Sequence, residues 1–323
     1  MKKVVVLGGS GFVGTQVCTA FARAGWQVTV PSRARVHGGH LLALPSLSVL
    51  EVDVHDEQAL CDTLAGHDAV VNLVAILHGS TQAFEKVHVA LPQKIVRACL
   101  AARIGQVVHL SALGVDAVQP ESAPSMYLRS KGQGEAVLMQ AAGSGAGAAF
   151  ALTILRPSVI FGVGDKFLNV FAQLQKVLPL MPLAGANARF QPVWVQDVAS
   201  AVLRSLELAK VGEPKVFELC GPEVFTLREL VQLAAQFSGI RGGCGRPVLA
   251  LPRWLGYLQA RLMELAPGEP LMSRDNLDSM QRDNVASGTV PGLSYLGIAA
   301  APLAPIASAY LGRKQAAYGY FPK

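Results

Sequence analysis

The apolar positions of this chain keep two rhythms. Over the first 160 residues, short unbroken apolar runs alternate with stretches in which apolar residues return every three or four positions. "KVVVLG" is one such run, as expected of a strand buried on both faces. From about Phe12, the residues Val13, Val17, Phe21 and Ala24 share a helical face, and Gly25 closes the segment. The alternation continues through "QVTVPS", "LSVLEVDV", the helical "DEQALCDTLAG", "DAVVNLVAIL", a long helix to about Ala102, "QVVHLSAL", a helix carrying Tyr127, and "FALTILRP". Strands alternating with helices predict parallel β-α-β units, hence an α/β fold with a doubly wound parallel sheet.

After Pro157 the rhythm loosens. "KFLNVFAQLQKVLPLMP" puts Phe167, Phe171, Leu174 and Leu178 on one face, and "VQDVASAVLRSLELA" and "TLRELVQLAAQFSG" read as further helices. "KVFELCG" reads as a late strand returning to the sheet near 215–220. The expected division is a dinucleotide-type domain over 1–160 and a smaller, mainly helical substrate or partner region over 161–323. "AAGSGAGAA", residues 141–149, is expected to be a helix-to-strand loop. "LPRWLGYLQARLMELAP", residues 251–267, lines up Trp254, Leu258, Leu262 and Leu265 with Arg253 and Arg261 beside them. The expected reading is a helix packed on the sheet or over the substrate cleft; a basic amphipathic helix on a membrane is the alternative.

"VVVLGGSGFVG" places Gly9, Gly11 and Gly14 in G-x-G-x-x-G spacing, and Gly8, Gly11 and Gly14 in G-x-x-G-x-x-G spacing. The pattern is weak alone. Here it follows a buried strand and opens an amphipathic helix. Glycines allow a tight turn and let backbone N–H groups approach a pyrophosphate, and the helix N-terminus supplies unpaired donors. No Asp or Glu occurs from Met1 to Leu50, so no carboxylate stands at the end of the second strand to accept a ribose 2′-OH. Ser32, Arg33 and Arg35 stand there instead, and a guanidinium fork suits a 2′-phosphate. NADP(H) is therefore the favoured cofactor, with NAD(H) left open. Asp53, at the end of the third strand, is placed either for an adenine amine or for a turn.

Ser111 ends the fifth strand, and Tyr127 and Lys131 follow 16 and 20 residues later on the next helix, sharing a face. A phenol with an ordinary pKa near about 10 is a poor base at neutral pH. A neighbouring lysine ammonium and an oxidised nicotinamide would both favour its phenolate, and Tyr127 would then exchange a proton with a substrate oxygen that Ser111 also bonds. Lys131 would also reach the nicotinamide ribose.

These segments resemble the short-chain dehydrogenase/reductase superfamily in its extended or atypical branch. Within it the chain is most similar to the NADPH-binding accessory subunit family of respiratory complex I and its bacterial relatives. The resemblance rests on "LGGSGFVG", "FEKVHVALPQKIVRACLAA", "SMYLRSKGQGE", "ILRPSVIFGVGDKFLNVFA", "FQPVWVQDVASAV" and "PGLSYLGIAAAPL", from residue 4 to about 303. It implies a Rossmann-like sheet with cofactor contacts at Gly8, Gly9, Ser10, Gly11, Phe12, Val13 and Gly14. It extends them to Ser32, Arg33, Asp53, Val54, Leu73, Val74, Ala75 and Pro157, and to Ser111, Tyr127 and Lys131. It also implies a cofactor held outside any electron path. His88 stands where active extended members usually carry Asn, and Ala112 follows Ser111 where a Ser-Ser or Ser-Thr pair is usual. Both departures count against sugar-nucleotide epimerase chemistry and leave a simple reductase open.

Composition narrows the setting. Hydrophobic residues make up 51% and charged residues 15%, and the mean hydropathy is +0.36. That excess calls for a large core, a partner surface or a membrane surface. No run of about 18 apolar residues is present, so a spanning helix is not expected. "MKKVVVLGG" imitates a signal peptide but flows into the glycine loop, and reads as the first strand. The net charge of +6 is scattered, without the dense basic runs of a nucleic-acid arm. Cys18, Cys61, Cys99, Cys220 and Cys244 lack any C-x-x-C spacing and read as buried free thiols of a reducing cytoplasm. His37 and His40 share a glycine-rich loop without metal-ligand spacing, so no metal is expected. Three functions fit: an NADP(H) holder supporting a respiratory or quinone-linked membrane system, an oxidoreductase (or epimerase/dehydratase-type enzyme) on an apolar carbonyl, hydroxyl or quinone, and a redox-sensing module. The expected location is cytoplasmic, peripheral on the inner face of the membrane, with a respiratory complex, lipid or quinone as partner.

Overall fold

A computed structural model describes residues 1–143, 148–266, 268 and 270–312. The centre of the expected loop 141–149, and Pro267 at the end of the 251–267 stretch, lie outside the described residues. In chain order the first half runs β1 (Lys3–Leu7), α1 (Phe12–Arg23), β2 (Gln27–Ser32), β3 (Leu47–Glu51), α2 (Glu57–Leu64) and β4 (Ala69–Asn72). It continues with α3 (Thr81–Phe84), α4 (Leu91–Ala102), β5 (Gln106–Leu110), α5 (Met126–Ala142) and β6 (Ala151–Pro157). The second half holds β7 (Ile160–Phe161), α6 (Leu168–Val177), β8 (Met181–Ala184), β9 (Arg189–Phe190), β10 (Val193–Trp194), α7 (Val195–Leu208) and β11 (Lys215–Leu219). β12 (Phe225–Thr226), α8 (Leu227–Phe237), β13 (Val248–Leu251), α9 (Arg253–Glu264), α10 (Arg274–Ser279) and α11 (Leu303–Leu311) follow.

Seven strands make one sheet in the order β3-β2-β1-β4-β5-β6-β11, and every neighbouring pair is parallel. Val4, Val5, Val6 and Leu7 of β1 have no exposure, which is why the run carries no polar alternation. One face is covered by α1 and α7, through Val17, Phe21, Val198 and Val202. The other is covered by α2, α4 and α5, through Leu60, Ile95 and Leu138. Chain direction across the sheet reverses between β1 and β4, so the cleft for a ligand opens beyond their carboxyl ends. β11 pairs with β6 from Lys215 opposite Thr153 to Leu219 opposite Pro157.

The C-terminal half packs α6, α8 and α11 around Phe161, Leu168, Phe190, Leu230 and Leu303. Three short strand pairs there, β7/β10, β9/β12 and β8/β13, were not expected from the sequence. Each strand is only two to four residues long, too short to set up a readable period. The expected packing of α9 through Trp254 and its leucines is corrected: those side chains are exposed, and Gly256 and Ala260 face inward. Small residues win because α9 lies close on β8, where a Cβ on Gly256 would sit 2.7 Å from that of Ala184. The cysteines are also corrected in part. Cys18, Cys99 and Cys220 are buried, but Cys61 is partly exposed and Cys244 is exposed, in the glycine-rich turn after α8.

α3 and α4 form one rod interrupted by a π turn, Glu85–Ala90, which carries His88. α5 crosses this turn at Gly134, where a Cβ would stand 2.0 Å from the His88 carbonyl oxygen. Side-chain-free backbone is thus what brings the Tyr127 helix against the His88 turn. Gly134→Ala is expected to cost roughly 1–3 kcal/mol by overpacking, read in urea unfolding. Gly39→Ala, where a Cβ meets nothing within 4 Å, is expected to change stability by less than about 1 kcal/mol.

Candidate active site

The glycine loop folds as a tight turn because the chain leaves β1 and must enter α1 at once. Gly9 N–H donates to Val6 O (3.2 Å) and Gly11 N–H to Gly8 O (3.1 Å). Gly8 has φ +79°. At Gly14 a Cβ would stand 2.2 Å from Gly8 O, so only glycine lets the helix seat against the turn. α1 has no side-chain cap and no acidic residue in its first turn. Its first N–H groups therefore point at the cleft with no protein anion competing for them. Leu73 and Val74 form the opposite wall, their backbone close enough that a Cβ on Gly8 would meet Leu73 C at 3.2 Å. That wall is pinned: Val74 N–H donates to Asn72 Oδ1 (3.2 Å), and the Asn72 amide donates to His109 Nδ1 (3.1 Å).

Beyond the carboxyl end of β2, Arg33 and Arg35 are exposed, while Ser32 is buried and donates its hydroxyl to Ala34 O (2.9 Å). Asp53 is exposed and accepts from His55 N–H (3.0 Å), a turn contact. The imidazole of His55 is held below its usual pKa by burial, then by Lys86, with Lys94 and Arg33 acting in the same sense and Asp53 opposing. Arg33, Lys86 and Lys94 thus surround one position with positive charge. Lys86 and Lys94 were missed from the sequence, where they are two unremarked cations on the rod that follows β4.

On the β5 and α5 side of the cleft, Ser125 caps α5 by accepting from Leu128 N–H (3.2 Å). Tyr127 stacks edge-on against His88, ring centroids 5.5 Å apart, and its hydroxyl makes no hydrogen bond among the described residues. Ser111 Oγ, just past β5, is buried without a hydrogen-bond partner among the described residues. An orphaned hydroxyl in a cleft is what a ligand oxygen would satisfy. Lys131 is buried and donates to Leu110 O (2.7 Å). One turn on, Glu135 is buried in a two-pronged ion pair with Arg156 of β6, which locks α5 to the sheet.

His88 is part of the same construction. Its Nε2 accepts from Ile76 N–H (3.2 Å), so its proton lies on Nδ1, which donates to Ser130 Oγ (2.8 Å). Ser130 donates in turn to Tyr127 O (2.9 Å). Burial, with help from Lys131, pushes the His88 pKa down to about 3, so the ring stays neutral and the relay keeps one direction.

The substrate side is crossed by residues 273–284. Asp275 of α10 accepts from Met126 N–H (2.7 Å) and Tyr127 N–H (3.1 Å), Ser279 donates to Ser125 Oγ (2.8 Å), and Arg282 donates to Ser122 O (3.1 Å). The space left beside Tyr127 is a cavity of about 80 Å³, bounded by Ala112, Leu113, Gly114, Ser279, Arg282 and Asn284 among others. Asp275 was not foreseen: a contact spanning 148 residues leaves no local trace. The expected electrostatics also need correction. Tyr127 is pushed up to about 12, first by burial and then by Asp275, and Lys131 does not offset this. Lys131 itself is pushed down to about 8 by burial, against the pull of Glu135.

Over residues 4–220 the sequence matches the model of the NAD dependent epimerase/dehydratase family. The chain belongs to that family. Among its relatives, NADH dehydrogenase (ubiquinone) 1 alpha subcomplex subunit 9, mitochondrial, of Rattus norvegicus is 30% identical, covering 92% of this chain and 76% of the relative. The 2-alkyl-3-oxoalkanoate reductase of Stenotrophomonas maltophilia is 27% identical, covering 74% and 77%. The solved structure of MoeE5 in complex with UDP-glucuronic acid and NAD shares the fold at TM-score 0.69 and 19% identity, covering 95% of this chain and 97% of that one. The family binds a nicotinamide dinucleotide. The unpaired Ser111 hydroxyl and the uncapped α1 fit such a ligand.

In the cofactor-free protein, ultraviolet difference titration of wild type against Tyr127→Phe is expected to place the Tyr127 phenol near 12, above the ordinary value. Asp275→Asn removes a negative charge that disfavours phenolate, so the step should move down in pH while burial keeps it above the ordinary value. An unmoved step would show that Asp275 does not act on Tyr127.

Proposed function

We propose that this protein holds NADP(H) as a resident cofactor and supports a respiratory or quinone-linked membrane system, working in the cytoplasm at the inner face of the membrane. The observation that carries the reading is the crossing of residues 273–284 over α5. Ligand pockets for organic molecules run to about 300–1,000 Å³, and the cavity beside Tyr127 holds about 80 Å³. That supports a site built around the dinucleotide itself, with little room for a nucleotide sugar.

The glycine loop from Gly8 to Gly14 and the start of α1 would hold the pyrophosphate. Arg33, backed by Lys86 and Lys94, would meet the 2′-phosphate, and Asp53 and Val54 would border the adenine. Leu73, Val74, Ala75 and Pro157 would wall the nicotinamide half, with Tyr127 and Lys131 toward its ribose. A bound nicotinamide would supply hydride transfer. The likeness to the complex I subunit of rat over most of the chain supports the membrane-system reading.

A second reading, an NADP(H)-dependent oxidoreductase, is favoured by one observation: the Ser111 hydroxyl is buried without a partner, and the Tyr127 hydroxyl is free beside the cavity. In it Tyr127 gives its proton to a substrate oxygen and Ser111 hydrogen-bonds the same atom.

Mass and fluorescence analysis of the purified protein is expected to reveal retained NADPH and very slow turnover. Arg33→Ala should weaken NADPH about tenfold or more, the worth of one charge-assisted contact, while changing NADH affinity little. Equal wild-type affinities for NADPH and NADH would remove the NADP(H) assignment. Rapid carbonyl reduction that Tyr127→Phe abolishes would establish the enzyme reading instead.

A further inference from the structure

α9 is turned inside out relative to an ordinary surface helix. Its inward face is the small residues Gly256 and Ala260, and its outward face is apolar. Trp254 is 68% exposed, Leu258 51%, Leu262 62% and Leu265 76%. At positions i, i+4, i+8 and i+11 these four form one stripe along the helix. A contiguous apolar stripe in water is costly unless something covers it.

The stripe does not stand alone. Leu258 and Leu262 also border an open apolar groove of about 500 Å³, completed by Pro182, Leu251, Leu255 and Met263. Leu249 of β13, two residues from Leu251, is exposed as well. Arginines are in excess over acids around this surface. Arg261 is exposed and makes no hydrogen bond or ion pair among the described residues. Arg253 begins the helix with most of its side chain in solvent, donating to Tyr257 Oη (3.2 Å) and lying 3.9 Å from Asp278 Oδ1. The nearby acid Glu264 is already neutralised by Arg274 (2.9 Å).

We infer that the outward face of α9 docks on an anionic phospholipid bilayer, lying in the interface plane. Leu258, Leu262 and Leu265 would enter the acyl boundary, Trp254 would sit at headgroup level, and Arg253 and Arg261 would meet lipid phosphates. The charge decides among occupants. A second copy of this chain on the same face would bring the two arginine rims together. An anionic lipid surface neutralises them. This deepens the proposed membrane-linked role by naming the surface that meets lipid, and it rests on that reading for its biological setting. α9 does not line the cofactor cleft, so lipid binding and NADPH retention can fail separately.

The full chain should cosediment with phosphatidylcholine/phosphatidylglycerol vesicles, and much less with phosphatidylcholine alone. Trp26 is buried and Trp194 partly so, which leaves Trp254 to report docking as a blue shift in fluorescence that Trp254→Phe removes. Leu262→Glu and Leu258→Glu each place a charge in the acyl boundary and should lower partitioning about tenfold or more. Arg261→Glu should lower it on anionic vesicles only. These surface variants should keep the wild-type melting temperature and NADPH retention. Failure of the wild type to bind the anionic vesicles, or binding that Leu262→Glu leaves unchanged, overturns the inference. So does a dimer in light scattering that Leu262→Glu dissolves. Loss of NADPH retention in wild type with vesicle binding intact would sink the holder reading and leave the docking face standing.

Discussion

The Tyr127 end of the cleft depends on one end-on contact. The carboxylate of Asp275 sits at the open N-terminus of α5 and takes the N–H groups of Met126 and Tyr127. Helix N-termini attract anions because their first N–H groups lack partners and the helix dipole favours negative charge. Here the anion comes from the C-terminal half of the same chain. The contact closes the substrate side, fixes where Tyr127 begins, and leaves a negative charge beside the phenol. The chemistry that would make Tyr127 a base is opposed by the interaction that positions it.

A second set of contacts works from behind. Glu135 and Arg156 lock α5 to β6, Gly134 lets the helix approach the π turn, and His88 and Ser130 tie the Tyr127 turn to Ile76 in the cofactor wall. The π turn places His88 inside a rod of helix, aimed at two partners at once, a common use of such turns. Where family members with sugar-nucleotide activity usually carry Asn, this chain has built a neutral imidazole bridge. The segment after β4 and α5 are thereby held as one unit.

The C-terminal half shows the same economy. Its apolar excess is divided between a core around Phe161, Phe190 and Leu230 and a stripe on α9 that faces solvent.

The parallel sheet was legible in the sequence because strands such as "VVVL" are buried on both faces and carry no polar alternation. The glycine loop was legible because turn, strand and helix are adjacent in the chain, and Ser111, Tyr127 and Lys131 because their spacing follows from consecutive elements. Only the tertiary structure decided what these residues face. The basic wall of Arg33, Lys86 and Lys94, the Asp275 contact and the His88 bridge join residues up to 149 positions apart, some from separate elements. The inversion of α9 was likewise invisible. Periodicity shows that Trp254 and its leucines share a side of the helix, but which side packs depends on how closely β8 lets Gly256 and Ala260 approach.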